Sequence, residues 1–305
     1  MIHKIITKIR NKLFGFDPNV LLLTNYNQKR FLLEQNILYS NEVGVTNTKY
    51  CESDIIVSLT TYGKRIYDVA LTIESIMEQT MKANKIVLWL DYSFQNKTLP
   101  NSLNKLKNRG LEICFCEDLL SYKKLIPTQK KYPNDVIITI DDDILYDYDV
   151  IERLLSSYLK EPNYIHCLRH HRMKFDKCGN LLPYIKWILE DKNDSLTFLN
   201  FFTSGAGTLF PPNSLDSNVT DEKSFLSICK YADDIWLNAM AILKGTLTKQ
   251  CYTRNKNCME GLVNEDVQDI ALANNNVTLG RNDIQIKAVF EKYGIYALIK
   301  QSVNI

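Results

Sequence analysis

The stretch DVIITIDDDILYDYD, residues 135–149, sets three carboxylates, Asp141, Asp142 and Asp143, directly after an apolar run that reads as a buried strand. Adjacent carboxylates at the mouth of a core repel one another and lose hydration, so the sequence demands a compensating charge. A divalent cation supplies one. Asp141 and Asp143 flank a single residue, and both can reach a hard ion such as Mg²⁺ or Mn²⁺, which keeps water positions free for substrate phosphates. The alternative is an acidic turn that caps the next helix. A second pair, Asp233 and Asp234 in YADDIWLNAMAILKG, opens a helical pattern, where the helix dipole keeps a carboxylate ionised. That carboxylate is a general base if the fold turns it toward the first cluster, and a plain N-cap if it does not. Glu265 and Asp266 in VNEDVQDI are a lookalike pair that spacing does not exclude.

The elements that must position these groups are legible in the periodicity. From Asp54, short apolar runs alternate with helical patterns: DIIVSLT, YDVALTIESIMEQ, KIVLWL, NSLNKLKNRG, LEICFC and DVIITI. Strands so continuous in Val, Ile and Leu belong to a parallel sheet covered on both faces, which predicts a doubly wound α/β domain. Pro100 and Gly110 punctuate the helix between them. Ligands bind such sheets at the carboxyl ends of the strands, so TTYGKR (Thr60 to Arg65), Asp91 and the three aspartates fall in one cleft.

Beyond Asp149 the pattern predicts a helix over 150–160, a strand near 164–168, a loop-rich stretch containing YIKW, and a helix from Asp233 that Gly245 closes. RNDIQIKAVFEKYGIYALIK reads as one further amphipathic helix, with Asn282 and Gln285 at capping-box spacing. In FFTSGAGTLFPP, Gly205 and Gly207 let backbone approach a sugar closely. Trp187 and Trp236 can stack on sugar rings or belong to the core. The stretch HCLRHHR offers metal ligands by type, but its alternation favours a core or surface role.

The chain has 305 residues, 45% of them hydrophobic, enough for a sizeable core, and its 37 Lys and Arg against 35 Asp and Glu leave a charge of +2. Nothing in that balance calls for nucleic acid. The eight cysteines, without a CxxC pair or a secretory leader, suggest reduced thiols in the cytosol, and Cys114 with Cys116 lacks a second pair for zinc. No run reaches the roughly 18 to 20 apolar residues that cross a bilayer. MIHKIITKIRNKLFGF, however, sets Ile2, Ile5, Ile6, Ile9 and Leu13 on one helical face with Lys4, Lys8, Arg10 and Lys12 around it. Residues 1–16 thus read as a helix on an anionic membrane surface, or as one packed on its own domain or on a homodimer partner. Residues 1–50 read as a separate extension.

Taken in order, IIVSLTTYGKRI, TIESIMEQT, KIVLWL, SYKKLIPT, YPNDVIITIDDDILY, SGAGTLFPP and ADDIWLNAMAILKG resemble the GT-A glycosyltransferases of bacterial capsule and lipopolysaccharide assembly. The resemblance covers about Asp54 to Gly245. It implies a GT-A-like sheet flanked by helices, with a donor-binding half at 51–160, an acceptor and base half at 161–260, and a helical segment at 261–305. It also implies a metal-dependent, inverting transfer of a sugar from a nucleoside-diphosphate donor, a UDP-sugar first among them, to a hydroxyl of a growing surface glycan. The acceptor would be lipid-linked, at the cytoplasmic face of the membrane.

Position by position, the resemblance places Asp141 and Asp142 near the nucleotide ribose and Asp143, with Asp141, at the Mn²⁺ or Mg²⁺ that bridges the diphosphate. Thr60, Tyr62 and Arg65 line the nucleotide pocket, and Lys124 approaches the phosphates; Asp91 joins the donor side by its strand-edge position, not by the resemblance. Asp234, with Asp233 before it and Leu237 after it, deprotonates the acceptor hydroxyl. By residue type alone, apart from the resemblance, Gly205, Gly207, Trp187 and Trp236 are the acceptor-side candidates. Two other readings stay open. VIITIDDDIL also fits the start of an Mg²⁺-dependent phosphohydrolase with Asp141 as nucleophile and Asp143 as acid and base, although that motif normally occupies the first strand. A non-catalytic glycosyltransferase-like scaffold is the third.

Overall fold

The computed structural model describes residues 18–254, 261–270 and 280–303. The apolar runs become strands: β1 (Ile55–Thr60), β2 (Lys85–Asp91), β3 (Leu111–Cys116) and β4 (Val136–Thr139), then β5 (Ile144–Tyr146), β6 (Ile165–Cys167), β7 (His170–Arg172), β8 (Asn200–Phe202), β9 (Thr208–Phe210), β10 (Thr248–Gln250) and β11 (Gly261–Val263). Seven of them form one sheet in the order β10-β6-β9-β4-β1-β2-β3. Every pairing in it is parallel except the two that β9 makes, with β4 and with β6. Short antiparallel pairs, β5 with β11 and β7 with β8, lie beside it.

Helices cover both faces: α1 (Pro18–Tyr39), α2 (Val69–Met77), α3 (Asn101–Lys107), α4 (Ile126–Lys131), α5 (Val150–Tyr158), α6 (Glu222–Ile228), α7 (Asp233–Lys244), α8 (Arg281–Tyr293) and α9 (Ile295–Val303). Alternate strand residues point to opposite faces, so Ile138 joins the core under α2, α3 and α5 while Ile137 joins the core under α4, α7 and α8. Gly245, at φ +82°, closes α7 with its N–H on the carbonyls of Ala241 and Ile242.

Three expectations change. The segment from Pro18 is not a separate extension: Leu33 and Ile37 of α1 are buried in the same core as β1, and the N–H groups of Gly44 and Thr46 bond to the carbonyls of Arg109 and Ala83. The proposed surface helix at 1–16 lies outside the described residues. The carboxyl end is two helices, because Gly294 takes φ +66° between α8 and α9, a left-handed step that stops the first helix. Nor do Asn282 and Gln285 form a capping box. Gln285 instead accepts from the Tyr231 N–H at 3.0 Å and donates to the Arg281 carbonyl at 3.3 Å, which ties α8 to the turn before α7. No helix among the described residues is long and apolar enough to cross a membrane.

Candidate functional site

Strand direction decides which loops meet. Because β1, β2, β3, β4 and β6 run the same way, the residues that follow them share one edge: Thr60 to Arg65, Asp91, Asp141 to Asp143, and Arg169. The antiparallel β9 brings the residues before it, Thr203 to Gly207, to the same edge.

Two buried cations answer the aspartates. Arg65 lies inside the molecule, its Nη1 2.7 Å from Asp142 Oδ1 and 3.1 Å from Asp143 Oδ2, and its Nη2 donates to the Val267 carbonyl at 3.0 Å. Asp142 also accepts from Thr61 Oγ1 at 2.5 Å, and Asp143 from Gln268 Nε2 at 2.8 Å. Lys124 Nζ sits 2.9 Å from Asp141 Oδ1 and 3.2 Å from Asp233 Oδ2, joining the two acidic motifs. Thus the repulsion that suggested a metal is offset first by Arg65 and Lys124, which a protein interior permits because a buried charge is stable when paired and hydrogen-bonded.

The compensation is incomplete. Burial, and then the neighbouring Asp143, push Asp142 up to about 6, although Arg65 and Thr61 pull the other way. Burial and then Asp141 raise Asp143. Burial and then Asp233 push Asp234 up to about 6 as well, against Lys124 and Ser204. At Asp141 burial is outweighed by the Lys124 ammonium, which holds the carboxyl below its usual range. Lys124 itself, for which burial alone would favour the neutral form, is kept charged by Asp141, Asp233 and Asp234. Asp142, Asp143 and Asp234 thus sit above an exposed carboxyl, the mark of negative charge only partly neutralised.

Asp234 is anchored at one oxygen. Its Oδ1 accepts from the Ser204 N–H at 2.8 Å and from Ser204 Oγ at 2.5 Å, whereas Oδ2 has no hydrogen bond among the described residues. The lookalike pair lies elsewhere: Asp266 is exposed and pairs with Arg30 at 3.1 Å, and Glu265 is exposed. Gly205 matters for space, since a Cβ there would overlap the Asp141 carboxylate that rests against it. Tyr146 fixes the same corner by donating to the Gly205 carbonyl while its oxygen accepts the Asp141 N–H at 2.9 Å.

Several sequence assignments are therefore corrected. Asp142 and Arg65 face each other in the interior and do not line an open nucleotide pocket. Lys124 is held between two carboxylates and does not stand free for phosphate. Trp236 is fully buried with its Nε1 on the Val219 carbonyl, and Trp187 is buried against Tyr184 and Phe201 with its Nε1 on the Leu182 carbonyl. Neither offers a ring face to a sugar. Gly207 takes φ +107°, a conformation few other residues adopt, and a Cβ on it would press on Leu168 in the core. Thr60, whose hydroxyl donates to the Trp89 carbonyl, and the half-buried Tyr62 and Asp91 remain at the edge. The histidines at 166, 170 and 171 are buried, His166 on Ser157 and the Glu161 carbonyl, His171 on the Glu190 N–H.

Sequence reasoning missed Ser204, Gln268 and Arg169. The first two carry no spacing signal, for each meets its aspartate only through the tertiary fold. Arg169 does carry a signal, an arginine directly after an apolar run at the carboxyl end of a predicted strand.

Among the described residues no group of three or more His, Cys, Asp or Glu side chains is arranged to hold a metal ion. The donors that are present nevertheless suit Mg²⁺ or Mn²⁺, which bind through one or two carboxylates plus substrate phosphates. Asp141 is 40% exposed and Asp143 14%, and both are hard oxygen donors. A pocket of about 450 Å³ lies away from this edge, over α5 and β10, where Asp149 and Glu161 take Arg254 and Lys249. It contains none of the acids discussed above. Compared with known proteins, the chain matches no protein-family model and no curated protein.

Proposed function

We propose that this chain is a metal-dependent glycosyltransferase that moves a sugar from a nucleoside-diphosphate donor, such as a UDP-sugar, to a hydroxyl of a growing surface polysaccharide, with inversion. The observation that carries the reading is the bridge of Lys124 between Asp141 and Asp233, which unites a strand-end acid cluster with a helix-start acid pair in one cleft. The resemblance drawn from the sequence motifs supports it, as does the mostly parallel sheet that places both motifs at the carboxyl edge.

In this reading Asp234 is the general base. Ser204 holds Oδ1, which leaves Oδ2 to take the acceptor proton, and a carboxyl near 6 is ionised at neutral pH yet more basic than an exposed one. Asp143 and Asp141 would hold the divalent cation, which when bound supplies positive charge to the departing diphosphate. Arg65 and Gln268 fix the Asp143 carboxylate for that task. Thr60, Tyr62 and Asp91 lie where the nucleotide would enter.

The acceptor is proposed to be lipid-linked at the cytoplasmic membrane face, with residues 1–16 as the peripheral anchor. Its support is the sequence of that segment together with α1, which leaves Val20, Leu21, Phe31 and Leu32 exposed. Removing residues 1–16 should lower binding to anionic vesicles and leave turnover of a soluble acceptor unchanged.

The deciding experiment is a thermal-shift screen of UDP-, GDP- and CDP-sugars with and without Mn²⁺, followed by release of nucleoside diphosphate on turnover. A Mn²⁺-dependent rise in Tm with one donor, abolished in Asp143→Asn, is expected, because a bound donor stabilises the folded state in proportion to its affinity. Release of inorganic phosphate instead would establish the phosphohydrolase reading, and a protein that binds no donor would be the scaffold.

A further inference from the structure

With Lys124 and Arg65 committed to carboxylates, the cleft needs another cation if it is to hold an anionic substrate. Arg169 follows β6 at the carboxyl edge. Its carbonyl accepts the Thr203 N–H at 3.2 Å and its Nε donates to Thr203 Oγ1 at 2.8 Å, so the side chain is clamped to the residue that precedes Ser204. Ser204 in turn holds Asp234, and Gly205, the next residue, carries Asp141 against it. Arg169 therefore stands where the two acidic motifs converge.

Its chemistry differs from that of the other two cations. Arg65 and Lys124 are buried, whereas Arg169 is half-buried, and among the described residues its two terminal nitrogens have neither a hydrogen bond nor an ion pair. A guanidinium oriented through Nε presents the remaining planar edge as a fork, the geometry that matches two oxygens of a phosphate. Its charge is already felt at Asp141, whose carboxyl it helps to hold down after Lys124. Phosphate is favoured over a lone carboxylate because the surrounding aspartates repel any anion, and a diphosphate that arrives with a divalent cation brings its own compensation.

We infer that Arg169 is a phosphate-binding residue of this cleft, and that it takes oxygens of the diphosphate through its two terminal nitrogens. The inference rests on the glycosyltransferase reading for the source of that diphosphate, the donor, and on geometry alone for the anion class. No bond is made or broken by Arg169. It stabilises the negative charge that the departing diphosphate acquires, and the proton from the acceptor hydroxyl goes to Asp234.

The test titrates inorganic pyrophosphate, UDP, GDP and the bare nucleosides, each with Mn²⁺, into the wild-type chain, Arg169→Gln and Arg169→Lys by calorimetry. Arg169→Gln should weaken pyrophosphate and the preferred nucleoside diphosphate by about tenfold or more, the scale of one lost charge-assisted pair, and leave the bare nucleoside unchanged. Arg169→Lys should recover part of the loss, since it restores charge without the fork. Equal pyrophosphate affinity in wild type and Arg169→Gln overturns the inference. If wild type binds pyrophosphate through Arg169 but neither UDP nor GDP, the inference stands and the UDP- or GDP-sugar reading falls. A wild-type chain that binds none of these compounds overturns both.

Discussion

Lys124 touches Asp141 at 2.9 Å and Asp233 at 3.2 Å, so one buried ammonium spans the end of a strand and the start of a helix that are far apart in sequence. Replacing it leaves acids in the cleft without their common counter-charge. Lys124→Met should cost roughly 3 kcal/mol, the low end for a broken buried pair because Asp141 is 40% exposed and partly screened by water. Urea denaturation at neutral pH measures it.

Arg65 makes a stricter demand on shape. Its Nη1 serves Asp142 and Asp143 while Nη2 reaches the Val267 carbonyl, an arrangement that a point charge cannot reproduce. Arg65→Lys should therefore be destabilising by about 2–4 kcal/mol despite keeping the charge, and it should loosen the 261–270 segment. Faster amide exchange at Val267 and Gln268 than elsewhere would show the second effect; uniform protection would contradict it.

Gly205 is predicted to tolerate no side chain. A Cβ would occupy the space of the Asp141 carboxylate, so Gly205→Ala must move Asp141 off Lys124 at an overpacking cost of about 1–3 kcal/mol. Mn²⁺-dependent donor binding should fall with it. Unchanged donor affinity in this variant would mean that Asp141 contributes nothing to the cation site.

The two acidic pairs can be told apart by substitution. Asp234→Asn should reduce transfer on the order of 10²-fold or more while donor affinity holds, as expected when a general base is removed. Asp266→Asn should leave transfer unchanged, because that carboxylate is exposed and engaged with Arg30. The reverse pattern would relocate the base.

Acid sensitivity should come from the buried histidines. Burial pushes His166 and His170 down to about 4 and His171 down to about 3, so all three are neutral when folded but take a proton near 6.5 when unfolded. Their contribution is complete above about 6.5 and is lost as pH falls toward 4, at about 1.4 kcal/mol per pH unit for each histidine once it is fully linked. Asp142 and Asp234 act in the opposite sense, since folded acids near 6 gain stability as pH falls below that value. Asp143, also raised, adds to them, so the histidine slope is isolated by removing one histidine. His170→Gln should flatten that slope by about one proton's worth, read from urea midpoints across the range; an unaltered slope would mean that His170 is not neutral in the folded chain.

The sheet was legible because a strand covered on both faces must be apolar along its whole length. DIIVSLT, KIVLWL, LEICFC and DVIITI became β1, β2, β3 and β4 within a residue or two. The break at Gly294 was less legible, for the apolar period continues through IYALIK and only the backbone reveals that Gly294 has gone left-handed. The tryptophans stayed open between sugar and core for a related reason. An aromatic ring is equally suited to a sugar and to a core, and the choice depends on what packs around it, which for Trp236 is Phe225 and Tyr293.

By itself the sequence determined that Asp141, Asp142 and Asp143 end a buried strand, that Asp233 and Asp234 begin a helix, and that the first cluster needs positive charge nearby. Those are consequences of local periodicity and of Coulomb repulsion between neighbours. Only the tertiary structure decided where that charge comes from. Arg65 and Lys124 lie in other loops, and whether they reach the aspartates depends on strand order, on the reversed β9, and on a glycine at 205 that leaves Asp141 room. Ion pairs between residues distant in sequence leave no periodic trace, because their partners are set by the three-dimensional path of the chain.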